Sequence, residues 1–239
     1  MFMRTSSDGA HRPTRLGDFG ISSSSNQLVC LSEFTYKKGT VIFAEGDSAE
    51  YIYQIKRGAA RSYKMLNDGR RQIGAFHLPG DIFGLVNGDL HRFTTEAVVR
   101  TTVRLLSRQR LDEVAQSDSV LARELLSLTT QNLQHAEDHM LLLGRKDSVE
   151  RVAAFLAEMD QRSSATAVMA LPMTRRDIAD YLGLTIETVS RALSRLRRAG
   201  VLEFTEVNHR EINILDRQQL HAFDLQSHSG LDLHHEGTD

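Results

Sequence analysis

The chain has 239 residues, 41% hydrophobic and 25% charged, enough for one large or two modest domains with real cores. It has no run near the roughly 18 apolar residues of a membrane span and no apolar export segment near its start; Cys30, its one cysteine, excludes an intrachain disulfide and a cysteine-only metal cluster, so a reduced cytoplasm is the expected compartment. The net charge is −2, so any nucleic-acid contact must rest on a local basic patch.

Residues 1–27 carry Gly, Pro and the run Ser22–Ser25 and are expected to form a flexible arm. Cys30 follows, just before the first expected strand, as a small apolar residue. Residues 28–117 read as one domain, with short strands punctuated by glycines from Phe34 to about Leu106. Thr40–Phe43, Tyr51–Ile55 and Val103–Leu105 are rich in strand formers, and Asn67-Asp68-Gly69 marks a hairpin between Tyr63–Met65 and Arg71–Ile73. Such closely spaced short strands predict a sandwich or barrel.

Residues 118–144 read as one long helix capped by Asp118 or Ser119. Leu126, Leu133, Ala136, Met140 and Leu143 form one stripe; Leu121, Leu125 and Leu128 form another, expected against the strand domain. Gln131, Asn132, Gln134, Glu137 and Asp138 narrow the first stripe to a seam, the pattern of a helix-to-helix contact between two copies. Asp147 and Glu150 are spaced to cap a further helix, whose core face is Val149, Val152, Ala153, Leu156 and Met159.

The segment 145–216 carries the clearest pattern. Thr174 and Asp177 are spaced as a capping box, and Ile178, Tyr181 and Leu182 recur at helical spacing. Gly183 stands where that helix should stop, and Thr185 caps a second helix from Ile186 to about Arg198. Val189, Leu193 and Leu196 face inward, while Glu187, Thr188, Ser190, Arg191 and Ser194 face out. This is a helix-turn-helix, in which the second helix offers its N-terminal residues to the major groove. An arginine fork suits guanine, a carboxylate suits the cytosine amine, and a hydroxyl suits a base edge. Val201–Phe204 and Glu211–Leu215 alternate as strands of a wing, with His209 and Arg210 at its tip. Residues 217–239 read as a tail.

The stretches Lys38–Asp47, Tyr51–Gly58 and Pro79–Gly84 resemble a cyclic-nucleotide-binding β-roll. With the helix-turn-helix downstream, residues 28 to 216 resemble the Crp–Fnr superfamily of bacterial transcription regulators. The implied fold is α+β: an N-terminal cyclic-nucleotide-binding-like β-roll, a long dimerisation helix and a C-terminal winged helix-turn-helix. The implied partners are double-stranded DNA, RNA polymerase and a second copy of the chain, its interface formed by Leu126, Leu133, Ala136, Met140 and Leu143.

Nucleotide-binding rolls hold the ribose with a glutamate and the phosphate with an Arg-Ser pair. Here Gly84-Leu85-Val86 and Thr94-Thr95 fall near those positions. An iron–sulfur cluster needs several thiolates. His77, His91, His135 and His139, and His228, His234 and His235 in the tail, read as structural or solvated. No cofactor is therefore expected.

The cyclic-AMP-receptor type has an arginine before the recognition glutamate, where this chain has Ile186. Glu187, Ser190 and Arg191 instead match the Fnr and FixK type, with an implied TTGAT-N4-ATCAA site. By that resemblance Arg191 contacts guanine, Glu187 the paired bases and Ser190 a thymine. Thr174, Arg175, Thr185, Thr188, Ser194, Arg195 and His209 are expected at the DNA backbone or flanking positions. The whole pattern is most similar to the FixK branch, which implies an activator of low-oxygen respiration, denitrification or nitrogen-fixation genes. The alternative is a regulator of the same family gated by a small molecule, or by haem and a gas. No Walker loop, nucleophile elbow or paired zinc-binding histidines on a helix points to an enzyme.

Overall fold

The computed structural model describes residues 30–145, 147–162, 168–205 and 211–225. The expected arm, His209 and Arg210 of the wing, and the tail histidines lie outside the described residues.

By their contacts the described residues form two units, 30–62 with 76–134, and 63–75 with those from 135 to 225. The first is a roll of short strands: β1 (Cys30–Tyr36), β2 (Val41–Phe43), β3 (Tyr51–Arg57), β4 (Ala60–Met65), β5 (Arg71–His77), β6 (Ile82–Phe83), β7 (Thr94–Ala97) and β8 (Thr101–Ser107). Two four-stranded sheets result, ordered β1-β8-β3-β6 and β2-β7-β4-β5. The period of two along a strand sends alternate side chains to opposite faces. On β3, Tyr53 and Ile55 join Phe43, Ala60, Phe83 and Val103 in one core, while Ile52 joins Ile82 and Leu106 in another.

That second core is closed by two helices. Beyond the strands, Arg108–Ser117 is a helix, α1, capped by the Ser107 hydroxyl. Its surface is polar and only Leu111 is fully buried, so an apolar repeat does not betray it. The long helix α2 spans Ser119–Arg145. Asp118 Oδ1 accepts from the backbone N–H groups of Val120 and Leu121, at 2.9 and 3.1 Å. Leu121 and Leu128 are buried beside Ile52 and Leu111, with Leu125 packed against them.

The second unit is built on α3 (Ser148–Arg162), whose Val152, Ala153, Phe155 and Leu156 are fully buried. Asp147 and Glu150 make the reciprocal cap: Asp147 Oδ1 accepts from Val149 and Glu150, and Glu150 Oε2 accepts from the Asp147 N–H at 2.7 Å. α4 (Arg175–Leu182) and α5 (Ile186–Arg198) form the helix-turn-helix. β9 (Val168–Ala170), β10 (Leu202–Phe204) and β11 (Glu211–Ile214) form the wing sheet, ordered β10-β11-β9. The tail begins as structure rather than coil. Asp216 caps α6 (Arg217–Leu225), Leu220 is buried, and Arg217 pairs with Asp160 at 2.7 Å.

By contacts the β4–β5 hairpin tip, Tyr63–Ala75, groups with this second unit. Its turn is as Asn67-Asp68-Gly69 predicts: Gly69 sits at φ +81°, and Leu66 donates to the Arg70 carbonyl at 2.7 Å. Among the described residues no helix is long and apolar enough to cross a membrane.

Candidate nucleic-acid interface

The helix-turn-helix is assembled by local signals. Thr174 Oγ1 accepts from the Asp177 N–H at 3.2 Å and donates to Asp177 Oδ2 at 2.8 Å; the Thr174 N–H donates to that oxygen as well. Gly183, at φ 63° and ψ 37°, ends α4, and the Leu184 N–H donates to the Ala179 carbonyl across the turn. A side chain here would be held in the left-handed region, which costs an L-residue about 1–2 kcal/mol. Thr185 then caps α5, accepting from the Thr188 N–H at 3.2 Å.

α5 is sharply two-faced. Val189, Ala192, Leu193 and Leu196 are all 3% exposed or less, so the roll angle of this helix is fixed by core packing. Burying each large apolar side chain stabilises that angle by roughly 1.5–3 kcal/mol. Glu187, Arg191 and Arg195 are consequently exposed on the opposite face, with Ser190, Thr188 and Ser194 half-buried along its edge. Four-residue spacing brings Glu187 and Arg191 onto the same side. The Glu187 carboxyl is held below its usual pKa, first by its own backbone N–H, then by the Thr185 hydroxyl and the nearby Arg191 charge. It therefore stays ionised and can accept from a base amine, while Arg191 offers a donor fork.

The remaining predicted site residues are differently disposed. The Thr174 hydroxyl is committed to Asp177, and the Thr185 and Thr188 hydroxyls meet at 3.0 Å. Ser194 Oγ donates to the Ser190 carbonyl at 2.8 Å. Arg175, first residue of α4, turns toward α5: its Nη1 donates to Ser190 Oγ at 3.2 Å, and its guanidinium lies 5.6 Å over the Phe204 ring. His209 lies outside the described residues. On α2, Leu126, Leu133, Ala136 and Met140 are exposed, and Leu143 is half-buried, its side chain 3.7 Å from where a Gly183 Cβ would stand.

A contact that the sequence reading missed holds α4 from behind. Arg71, on the hairpin, donates through Nη2 to Asp177 Oδ1 at 2.7 Å, and through Nη2 and Nε to Asp180 Oδ2 at 2.7 and 2.9 Å. Gln72 adds a bond to the Tyr181 carbonyl at 3.3 Å. Burial alone would lower the Arg71 pKa; the Asp180 hydrogen bond and the two carboxylate charges raise it above its ordinary value instead. Over a hundred residues separate these partners, so no local pattern announces them. Arg151 adds backbone bonds of its own, to the Leu143 and Leu182 carbonyls at 2.9 and 3.1 Å.

In the roll, the positions expected near a nucleotide phosphate are engaged internally. Thr94 Oγ1 accepts from the Glu45 N–H at 3.0 Å; the buried Thr95 hydroxyl meets Ser62 Oγ at 2.7 Å, which in turn meets His77 Nε2 at 2.7 Å. His91 stacks on Phe43 at 3.7 Å between centroids, and Tyr53 stacks on Phe83 at 5.3 Å. Among the described residues no three His, Cys, Asp or Glu side chains come together as a metal site.

Comparison with known proteins agrees with this geometry. Residues 150–223 match the Crp-like helix-turn-helix domain, and residues 33–118 match the cyclic nucleotide-binding domain. The chain is 42% identical over 188 residues to the nitrogen fixation regulation protein FixK of Rhizobium meliloti (strain 1021), covering 79% of this chain and 85% of that protein. It is 40% identical to the transcriptional activatory protein AadR of Rhodopseudomonas palustris, covering 70% and 72%. The structure of FixK2 from Bradyrhizobium japonicum matches with a TM-score of 0.78 and 56% identity, over 82% of this chain and 98% of that one. A capped helix-turn-helix behind a β-roll, in a chain so similar to these regulators, places this protein in the Crp–Fnr superfamily of transcription regulators, within its FixK-like branch.

Proposed function

We propose that the protein is a homodimeric transcription activator that binds a TTGAT-N4-ATCAA-type palindrome without a cyclic nucleotide or an iron–sulfur cluster. The observation that carries this reading is the α5 surface, where an ionised Glu187 and an exposed Arg191 share one face with Ser190 beside them. Arg191 reads guanine by its fork, Glu187 accepts from the amine of a paired base, and Ser190 meets a thymine. Each good base contact discriminates by about 1–3 kcal/mol. Arg195 and the hydroxyls along the helix edge serve the flanking backbone.

Dimerisation is supported by the α2 stripe. Leu126, Leu133 and Met140 are 66%, 58% and 65% exposed, an apolar row that a second copy would cover. Two recognition helices so joined would enter successive major grooves about 34–36 Å apart. A ligand-free roll is supported by the donor set. Cys30 supplies a single thiolate. Thr94 and Thr95, already bonded within the roll, stand near the phosphate positions where nucleotide-binding rolls carry an Arg-Ser pair that gives charge-assisted bonds. The FixK relatives carry nitrogen fixation regulation in their names. For this chain the target genes are those of low-oxygen respiration, denitrification or nitrogen fixation, reached through contact with RNA polymerase and without enzymatic activity.

The test is a mobility shift with purified protein in air, without added ligand, at fixed salt because phosphate contacts make affinity salt-dependent. The palindrome is compared with a TGTGA-type site, and wild type with Arg191→Ala. Tight preference for the palindrome, lost in Arg191→Ala while the dimer persists, is expected. Binding that appears only with a cell extract or without oxygen would replace this reading by a ligand-gated one.

A further inference from the structure

Arg175 begins α4, where the N-terminal end of the helix is already positive. A cation there works against the dipole, so its place needs another gain. The contacts supply it. The guanidinium lies over Phe204 of β10 and donates to Ser190 Oγ of α5 at 3.2 Å, joining both helices and the wing at one side chain. Ser190 is half-buried, and its carbonyl already accepts from Ser194.

A serine hydroxyl can donate one hydrogen bond and accept two. A guanidinium, with donors and no acceptor, occupies a lone pair and turns the hydroxyl proton away from itself. We infer that Arg175 is a specificity-positioning residue: it orients Ser190 as a hydrogen-bond donor, so that α5 selects a base-edge acceptor where Ser190 meets the DNA. This rests on the proposed base-reading role of Ser190. Thymine O4 satisfies such a donor in the major groove, whereas the cytosine N4 amine opposes it. Arg175 thus acts through Ser190, not through a phosphate of its own.

The two roles separate in one experiment. Fluorescence anisotropy of the full-length dimer is measured on the palindrome and on symmetric single-base variants, at several salt concentrations. Ser190→Ala identifies the position it reads by relaxing discrimination there. Arg175→Ala is expected to relax the same position, with thymine-over-cytosine preference falling about threefold to tenfold, the worth of one hydrogen bond. Other positions keep their preference, the salt slope is unchanged, and the double variant is no worse than either single one. Phe204→Leu, which removes the ring beneath the guanidinium, moves preference the same way by less. A uniform loss across all probes, with the salt slope reduced by about one, marks a phosphate contact and overturns the inference. So does an unchanged profile. Wild-type protein with no preference for the palindrome would defeat the proposed function itself, and this inference with it.

Discussion

Replacing Arg71 by methionine keeps an unbranched stem but removes the guanidinium, which lies 5.5 Å over the Tyr63 ring and on which α4 depends. Asp177 is only 2% exposed, Asp180 23% and Arg71 19%, so this is a largely desolvated pair. Removing one partner of a buried ion pair costs about 3–5 kcal/mol, because the other charge stays buried. Here the loss is smaller. Asp177 Oδ2 keeps the Thr174 N–H and hydroxyl, so only Oδ1 loses its cation. An unsatisfied buried acceptor costs about 1–3 kcal/mol, and the lost Asp180 bonds add to it. Arg71→Met should therefore destabilise the C-terminal unit by about 2–3 kcal/mol. The assay is urea unfolding followed by helix circular dichroism, at one protein concentration so that dimerisation does not vary. With a slope of about 1–3 kcal/mol per molar, the midpoint falls by about 0.7–3 M. Asp180→Asn alone should cost less than about 1 kcal/mol, and the double variant less than the sum. A midpoint unchanged by Arg71→Met would refute the reasoning, since the two carboxylates would then be indifferent to the arginine.

Other measurements address the rest of the molecule. His139 stacks on Tyr181 at 4.1 Å, and its ring nitrogens are shielded without a hydrogen-bond partner among the described residues; His135 on α2 and Glu158 on α3 are the charges that act on it, and Glu158 itself pairs with Arg162 at 3.0 Å. Burial, then the charge of His135, lowers its pKa to about 4 against Glu158. The unfolded chain binds this proton near pH 6.5, so the stability is complete above that pH and is lost as pH falls toward 4. Discounted for partial exposure, the loss is about 1–2 kcal/mol; His139→Phe should flatten that slope in unfolding titrations, and an unaltered slope would reject the assignment. Gly58, at φ +89°, has the Arg100 carbonyl and, at 2.7 Å, Thr101 Cα where a Cβ would stand. Gly58→Ala should cost about 3 kcal/mol or more in melting experiments, and a near-neutral result would mean that the backbone yields there. Leu133→Lys should weaken the proposed dimer by about 3 kcal/mol, over a hundredfold, as two leucines leave the proposed seam; sedimentation showing an intact dimer would place the interface elsewhere.

What the chain revealed unaided was everything decided within three or four residues. The Thr174–Asp177 capping box, the Gly183 stop, the Asp147–Glu150 cap and the Asn67-Asp68-Gly69 turn all involve neighbours in sequence, whose short side chains satisfy nearby backbone groups. The apolar rhythm of Val189, Leu193 and Leu196 likewise set which face of α5 is outward, and with it the exposure of Glu187 and Arg191. Two helices escaped because each carries a weak signal. α1 buries one leucine, and α6 is anchored by Leu220 and by an ion pair to Asp160 far away in the chain. Only the tertiary structure decided what stands behind the recognition surface. Arg71 could have been another solvated cation and His139 a surface histidine, and nothing local joins Arg175 to Ser190. Their partners lie 106, 15 and 42 residues away, and charge, hydroxyl and ring contacts over such separations are created by folding, not by local spacing.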